Sequence, residues 1–243
     1  MHTVFRQHST SLPEHLRHHV WSGNALAKSS VPSLASGHHA LDTQLPDGGW
    51  PARALIEVLL AQAGQGEWRL LMPALVRVVK QGGTLILIGP PHPPFLPALQ
   101  REGIPPERII WVDPSSDAQR LWATEQALKA ACVTAVLTWL PQARPEQIRR
   151  LHSHASQHPG WLFALRPLSA RHTASAAPLR LVLSQGDAPH PLQVDILKRK
   201  GPLLSSTLTL PVWHKGLAGL IPQVSHVALD GTDPRRQPAL ALH

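Results

Sequence analysis

SGHHALDTQLPDGGWPARALIEVLL, residues 36–60, runs on into AQAGQGEWRLLMPALVRVVK, residues 61–80, and these two stretches decide the fold. The first is turn-rich as far as Asp47-Gly48-Gly49 and then feeds an apolar run, Ala54 to Leu60, which reads as a buried strand. A glycine turn follows at Ala63-Gly64-Gln65-Gly66. Beyond it, Glu67 to Lys80 places Leu70, Leu71, Ala74, Leu75 and Val78 on one helical face, so a helix is predicted in spite of Pro73.

Outward from this unit the alternation repeats. Strands are predicted over Thr84 to Ile88, Ile109 to Val112, Val133 to Trp139 and Trp161 to Leu165, and helices over Phe95 to Arg101, Ser116 to Ala131 and Pro145 to Gln157. In the second of these helices Leu121, Trp122 and Leu128 are expected to face inward. The run Pro90-Pro91-His92-Pro93-Pro94 can neither donate ladder hydrogen bonds nor continue a helix, so it forms a loop after its strand. Leu179 to Leu183 and Leu192 to Lys198, separated by Ser184-Gln185-Gly186-Asp187, read as an antiparallel hairpin at the sheet edge. Strands and helices alternating at this spacing imply an α/β fold with a mostly parallel sheet flanked by helices. Three regions are expected. Residues 1–32 form an N-terminal arm with a short amphipathic helix carrying Leu16, Val20 and Trp21; residues 33–217 form the core domain; residues 218–243 form a flexible C-terminal tail.

Composition narrows the classes. A chain of 243 residues, 43% hydrophobic, can bury one substantial core. No stretch approaches the ~20 apolar residues that a bilayer span requires. Met1 to Arg6 carries no signal-peptide core, so a cytoplasmic protein without a membrane partner is expected. The single cysteine, Cys132, lies in an apolar run and reads as a small buried hydrophobe rather than a nucleophile. The 16 histidines come with no second cysteine and no HExxH pattern, so they are expected to be solvated, with no metal site. A formal charge of +8 favours acidic partners, nucleic acid first among them.

Ser36-Gly37, Leu41-Asp42, Gly48-Gly49, Pro51, Arg53 and Ile56-Glu57 resemble the order of residues that precedes the phosphate loop of RecA recombinases. The resemblance runs from about Ser33 to Pro202, through REGIPPERIIWVDP (residues 101–114). Within that superfamily the segment Gly64 to Leu75 resembles the ImuA family, the accessory proteins of SOS-induced translesion synthesis. Trp161 to Pro167 resembles a strand shared by ImuA and the SulA cell-division inhibitors, and the long N-terminal segment favours ImuA.

A working phosphate loop needs GxxxxGK[ST], in which backbone N–H groups cradle phosphate, the Lys reaches the β/γ-phosphates and the hydroxyl holds magnesium. Here the loop is degenerate: Gly64 and Gly66 remain, but Glu67 stands at the Lys position and Trp68 at the hydroxyl position. Thr138 replaces the acidic residue the resemblance places after the fourth strand, and the catalytic glutamate position falls within Pro90 to Pro94. The expectation is a non-enzymatic protein without a cofactor.

Trp50 and Trp68, in a loop and at a helix start, are the expected exposed anchors, whereas most other tryptophans fall in predicted strands or helices and read as core. Lys198, Arg199 and Lys200 end the last predicted strand. They could contact DNA phosphates, a neighbouring protomer or a partner, or simply protect a sheet edge with positive charge. The ImuA resemblance implies an adaptor bridging ImuB, an inactive Y-family polymerase homologue, and an error-prone DnaE-type replicative polymerase, with RecA and DNA as further contacts. The SulA resemblance implies the alternative, an SOS division inhibitor that binds FtsZ.

Overall fold

A computed structural model describes residues 32–186, 192–202 and 206–210. The expected arm with Leu16, Val20 and Trp21 and the tail of residues 218–243 lie outside them. A short two-stranded ladder opens the described chain: β1 (Ser33–Leu34) pairs antiparallel with β2 (Trp50–Pro51) and encloses the one-turn α1 (His39–Asp42).

The strand and helix of the deciding stretch follow, β3 (Leu55–Leu60) and α2 (Glu67–Lys80). Next come β4 (Leu85–Ile88), α3 (Leu96–Glu102), β5 (Ile109–Val112), α4 (Asp117–Lys129), β6 (Ala135–Trp139), α5 (Pro145–Gln157) and β7 (Trp161–Pro167). The described residues close with β8 (Leu179–Gln185), β9 (Leu192–Lys198) and β10 (Leu208–Leu210).

Among the described residues, eight strands form one sheet in the order β10-β9-β8-β3-β7-β6-β4-β5. From β8 to β5 every neighbour is parallel; β9 runs against the rest. The central strands are buried on both faces, and β3 and β4 accordingly read as unbroken apolar or near-apolar runs. The antiparallel β9 instead alternates, with Leu192, Val194 and Ile196 buried and Gln193, Asp195 and Leu197 only partly so. This is the mostly parallel α/β, RecA-like architecture that the sequence implied. The β8–β9 hairpin is antiparallel as expected, but it is not the edge: β10 pairs outside it, through Leu210↔Leu192. A three-residue strand carries too little periodicity to register in sequence.

Successive residues of β3 point to opposite layers. Ile56, Val58 and Leu60 meet Leu70, Leu71, Ala74, Leu75 and Val78 of α2, the face predicted for that helix. Leu55 belongs to the core on the other side, with Ile148, Leu151 and Ala155 of α5 and Leu121 and Leu128 of α4. Pro73 has no N–H for the carbonyl of Arg69 one turn back. His38 stands there, with its Nε2 3.1 Å from the neighbouring Leu70 carbonyl. Gly37, at φ +89°, allows this close approach, since a Cβ on it would meet Pro73 Cβ at 2.4 Å. Burial holds the His38 pKa below its ordinary value, opposed by the Leu70 and Arg69 carbonyls.

Four burial expectations are corrected. Cys132 is exposed, because it falls in the turn before β6 rather than in the strand. Trp122 points outward from α4 at 63% exposure, one residue past the inward Leu121. Trp111 is 48% exposed, because among the described residues β5 ends the sheet and its side chains lack a neighbouring strand. His158, expected in solvent, is buried where α5 turns back toward β7, and burial pushes its pKa down.

Candidate functional site

The carboxyl ends of β3, β4, β6 and β7 surround a cleft of ≈ 400 Å³, lined by Leu60, Gln62, Gly89, Asp113, Arg120 and Arg166 among others. This is where open α/β sheets place their ligands. The degenerate loop, Gly64 to Trp68, stands beside it at the start of α2.

Glu67 turns back into that loop. Its side chain is buried at 1% exposure, and the Gly64 N–H donates to its Oε1 at 2.6 Å. A backbone donor of the kind that would cradle a phosphate is thus taken by a carboxylate of the same chain. As the first residue of α2, Glu67 also sits where the helix N-terminus favours negative charge. Gly66, at φ +109°, brings the backbone against β9, where a Cβ would lie 2.6 Å from Leu192 Cδ1. Trp68 is half-buried, its ring 6.2 Å from that of Trp139 at a 43° tilt. It packs on the main core rather than standing free as an anchor.

The other positions follow the same pattern. Thr138 is buried and shares a 2.9 Å hydrogen bond with Thr124, whose hydroxyl also donates to the Arg120 carbonyl at 2.8 Å. The site of the expected acid therefore ties α4 to β6. Arg120 reaches across the cleft floor, with Nη1 donating to the Gly89 and Trp139 carbonyls at 2.8 Å each, and its Nε lies 3.6 Å from Asp117. Arg166 is committed as well, donating at 2.5 Å to Glu57 Oε1 and to the Ala143 carbonyl. Arg180 donates to Glu57 Oε2 at 2.5 Å and to the Ala170 carbonyl at 2.8 Å. The three charges of this triad are nearly or wholly buried beneath the cleft. A magnesium triphosphate does not fit the loop, which offers a carboxylate in place of an ammonium.

At the opposite end of the sheet, only one of the three basic residues expected to reach out lacks a partner. Lys198 Nζ donates to the Ser175 carbonyl at 2.9 Å. Arg199 donates to the Pro202 carbonyl and to both the carbonyl and side-chain oxygen of Gln44. Lys200 is exposed, with no hydrogen-bond or ion-pair partner among the described residues. Trp50, expected as an exposed anchor, is wholly buried. The pairing Leu34↔Trp50 lays it under the sheet, edge-on to Phe163 at 5.5 Å, and its carbonyl accepts from the Trp161 indole.

Sequence reasoning passed over Arg120 and the exposed indoles of Trp111 and Trp122, and it read Arg166 and Arg180 as basic surface, whereas both are buried against Glu57. The triad had one legible signal, a charged residue interrupting each of three apolar strands.

No family model matches the chain. It is 24% identical over 118 residues to the mitochondrial DNA repair protein recA homolog 3 of Arabidopsis thaliana, covering 49% of this chain and 27% of that protein. It is 28% identical over 99 residues to the cell division inhibitor SulA of Serratia marcescens, covering 41% of this chain and 59% of that protein. A SulA from Pectobacterium carotovorum is 27% identical over 139 residues, 56% of this chain and 80% of that protein. The chain is therefore similar in part to RecA proteins and in part to SulA proteins, a weak likeness consistent with a RecA/SulA-like superfamily, and it spans less than two thirds of the first two of these relatives.

Proposed function

We propose that this protein is a non-catalytic accessory factor of SOS-induced translesion DNA synthesis, an ImuA-like adaptor working in the cytoplasm. In this role it bridges an ImuB-like Y-family polymerase homologue and an error-prone DnaE-type polymerase, with RecA and DNA as further contacts. The observation that carries this reading is the buried Glu67 carboxylate bonded to the Gly64 N–H, which converts a nucleotide loop into a structural turn. Trp68 on Trp139 and Thr138 on Thr124 support it, because positions expected to serve catalysis serve packing instead. The exposed Trp111 and Trp122 offer the kind of aromatic anchor that protein partners bury. Deletion of the gene should abolish damage-induced mutagenesis while leaving growth unchanged, and pull-down from damaged cells should recover the inactive polymerase homologue. Full mutagenesis in the deletion strain would refute the adaptor.

The match to SulA over 80% of the Pectobacterium protein favours a second reading, a division inhibitor that binds FtsZ. Overproduction would then make cells filament and pull-down would recover FtsZ alone. Normal division on overproduction removes this reading.

A further inference from the structure

A second concave site opens at the other end of the sheet, where β3 and β8 begin and β9 ends. It has a volume of ≈ 240 Å³, and its walls include Arg53, Arg199, Lys200, His152, Ser156 and Asp47. Three cations against one carboxylate leave it positively charged. The Arg199 guanidinium braces the pocket wall by tying the end of β9 to Gln44 and Pro202, as described above. Arg53 and Lys200 are different. Both side chains are exposed, and neither has a hydrogen-bond or ion-pair partner among the described residues.

The backbone at Arg53 supplies an independent observation. Its φ is +55°, in the left-handed region that costs a non-glycine residue roughly 1 kcal/mol or more. The turn is held by the Arg53 N–H donating to the Gly160 carbonyl at 3.2 Å. Glycine would make the same turn without strain. The strained position instead carries a guanidinium at the edge of a cationic pocket, and strain of this kind concentrates at binding sites.

His152 adds a donor. The Leu55 N–H points at its Nδ1 at 3.4 Å, which puts the ring proton on Nε2. Burial, then the charge of Lys198, hold its pKa below the ordinary value, so near neutral pH it offers a neutral N–H rather than a further charge.

We propose that this pocket binds a phosphate group, with Arg53 and Lys200 as its charged ligands, and that a nucleic-acid backbone supplies the phosphate. A planar guanidinium and a mobile ammonium, carried on separate elements, can grip different oxygens of one phosphate. The chain's net charge of +8 brings such a polyanion toward it. The inference does not rest on the adaptor role, since a division inhibitor with this pocket would bind phosphate equally well.

The test measures binding of a labelled single-stranded oligonucleotide to the full chain by fluorescence anisotropy across a salt series. A second arm uses pyrophosphate, followed by thermal shift. The slope of log affinity against log salt should flatten in Arg53→Gly and in Lys200→Gln, and by about 0.7 in the double variant, the value of one lost phosphate contact on a single strand. Affinity should fall roughly 3- to 10-fold in each variant. Arg53→Gly should at the same time raise the melting temperature, because strain is relieved. Weaker binding in a more stable protein separates loss of a contact from loss of the fold. Wild-type affinity and slope in both variants, or no binding of either probe by the wild type, overturns the proposal. Pyrophosphate binding that is lost in the variants, without oligonucleotide binding, overturns the nucleic-acid source.

Discussion

Glu57→Gln should be among the most damaging isosteric substitutions in this chain. Glu57 is wholly buried on the central strand, and each carboxylate oxygen accepts from a different guanidinium, Arg166 and Arg180, at 2.5 Å. The amide keeps the volume and one acceptor oxygen but removes the negative charge. Two guanidiniums whose side chains are 4% and 9% exposed are then left without a counter-ion. Breaking a buried pair in this way costs about 3–5 kcal/mol. The Ala143 and Ala170 carbonyls still accept one hydrogen bond from each arginine, which argues for the lower half of that range. For a domain of this size about 2–4 °C accompanies each kcal/mol, so melting should fall by roughly 6–16 °C. The loss should be nearly independent of salt, because buried charges are poorly screened. Glu146→Gln is the control: its pair with Arg144 is exposed on both sides and should change stability by less than about 1 kcal/mol. Thermal unfolding by circular dichroism at low and high salt reads both variants. A Glu57→Gln protein melting within about 2 °C of wild type would refute the reasoning, since it would mean that the main-chain carbonyls alone compensate both cations.

Trp50→Ala removes a fully buried indole and its edge contact with Phe163, and should cost about 3–5 kcal/mol, read as a lower urea midpoint at unchanged m-value; a near-neutral effect would restore Trp50 as a surface anchor. Magnesium ATP should leave the melting temperature of the wild type and of Glu67→Ala unchanged, and a reproducible rise in either would mean that the loop retains a nucleotide site. Burial holds the pKa values of His38, His152 and His158 below the ordinary 6.5. The unfolded chain therefore takes up more protons as pH falls, so this contribution is fully present above about pH 6.5 and is lost progressively below it. Urea midpoints should drop between about pH 7.5 and about pH 5, and His158→Phe should blunt the drop; a flat profile in the wild type would contradict it.

The candidate site was half legible. Glu67 and Trp68 at the phosphate-loop positions pointed to lost nucleotide chemistry from the sequence alone. That Glu67 turns back to bond the Gly64 N–H depends on where a buried side chain points, and a string of letters carries no such direction. Trp50 and Trp111 exchanged roles for a related reason. Trp50 follows two glycines and reads as loop, yet a two-residue ladder with Leu34 draws it into the core. Trp111 lies in the apolar run IIWV and reads as core, yet among the described residues its strand has no neighbour on one side.

What the sequence determined by itself was everything set within a few residues along the chain. The central strand, the buried face of α2, the proline loop after β4 and the strand–helix alternation all follow from periodicity and backbone chemistry. Only the tertiary structure decided strand order, and with it which strand lies at the edge, which charges meet as a triad, and that Arg53 and Lys200 face one pocket. Glu57 and Arg180 are 123 residues apart in sequence and meet because β3 and β8 pair in one register. Such a contact is set by the way crossover connections close around a shared core, a property of the whole chain that no local pattern encodes.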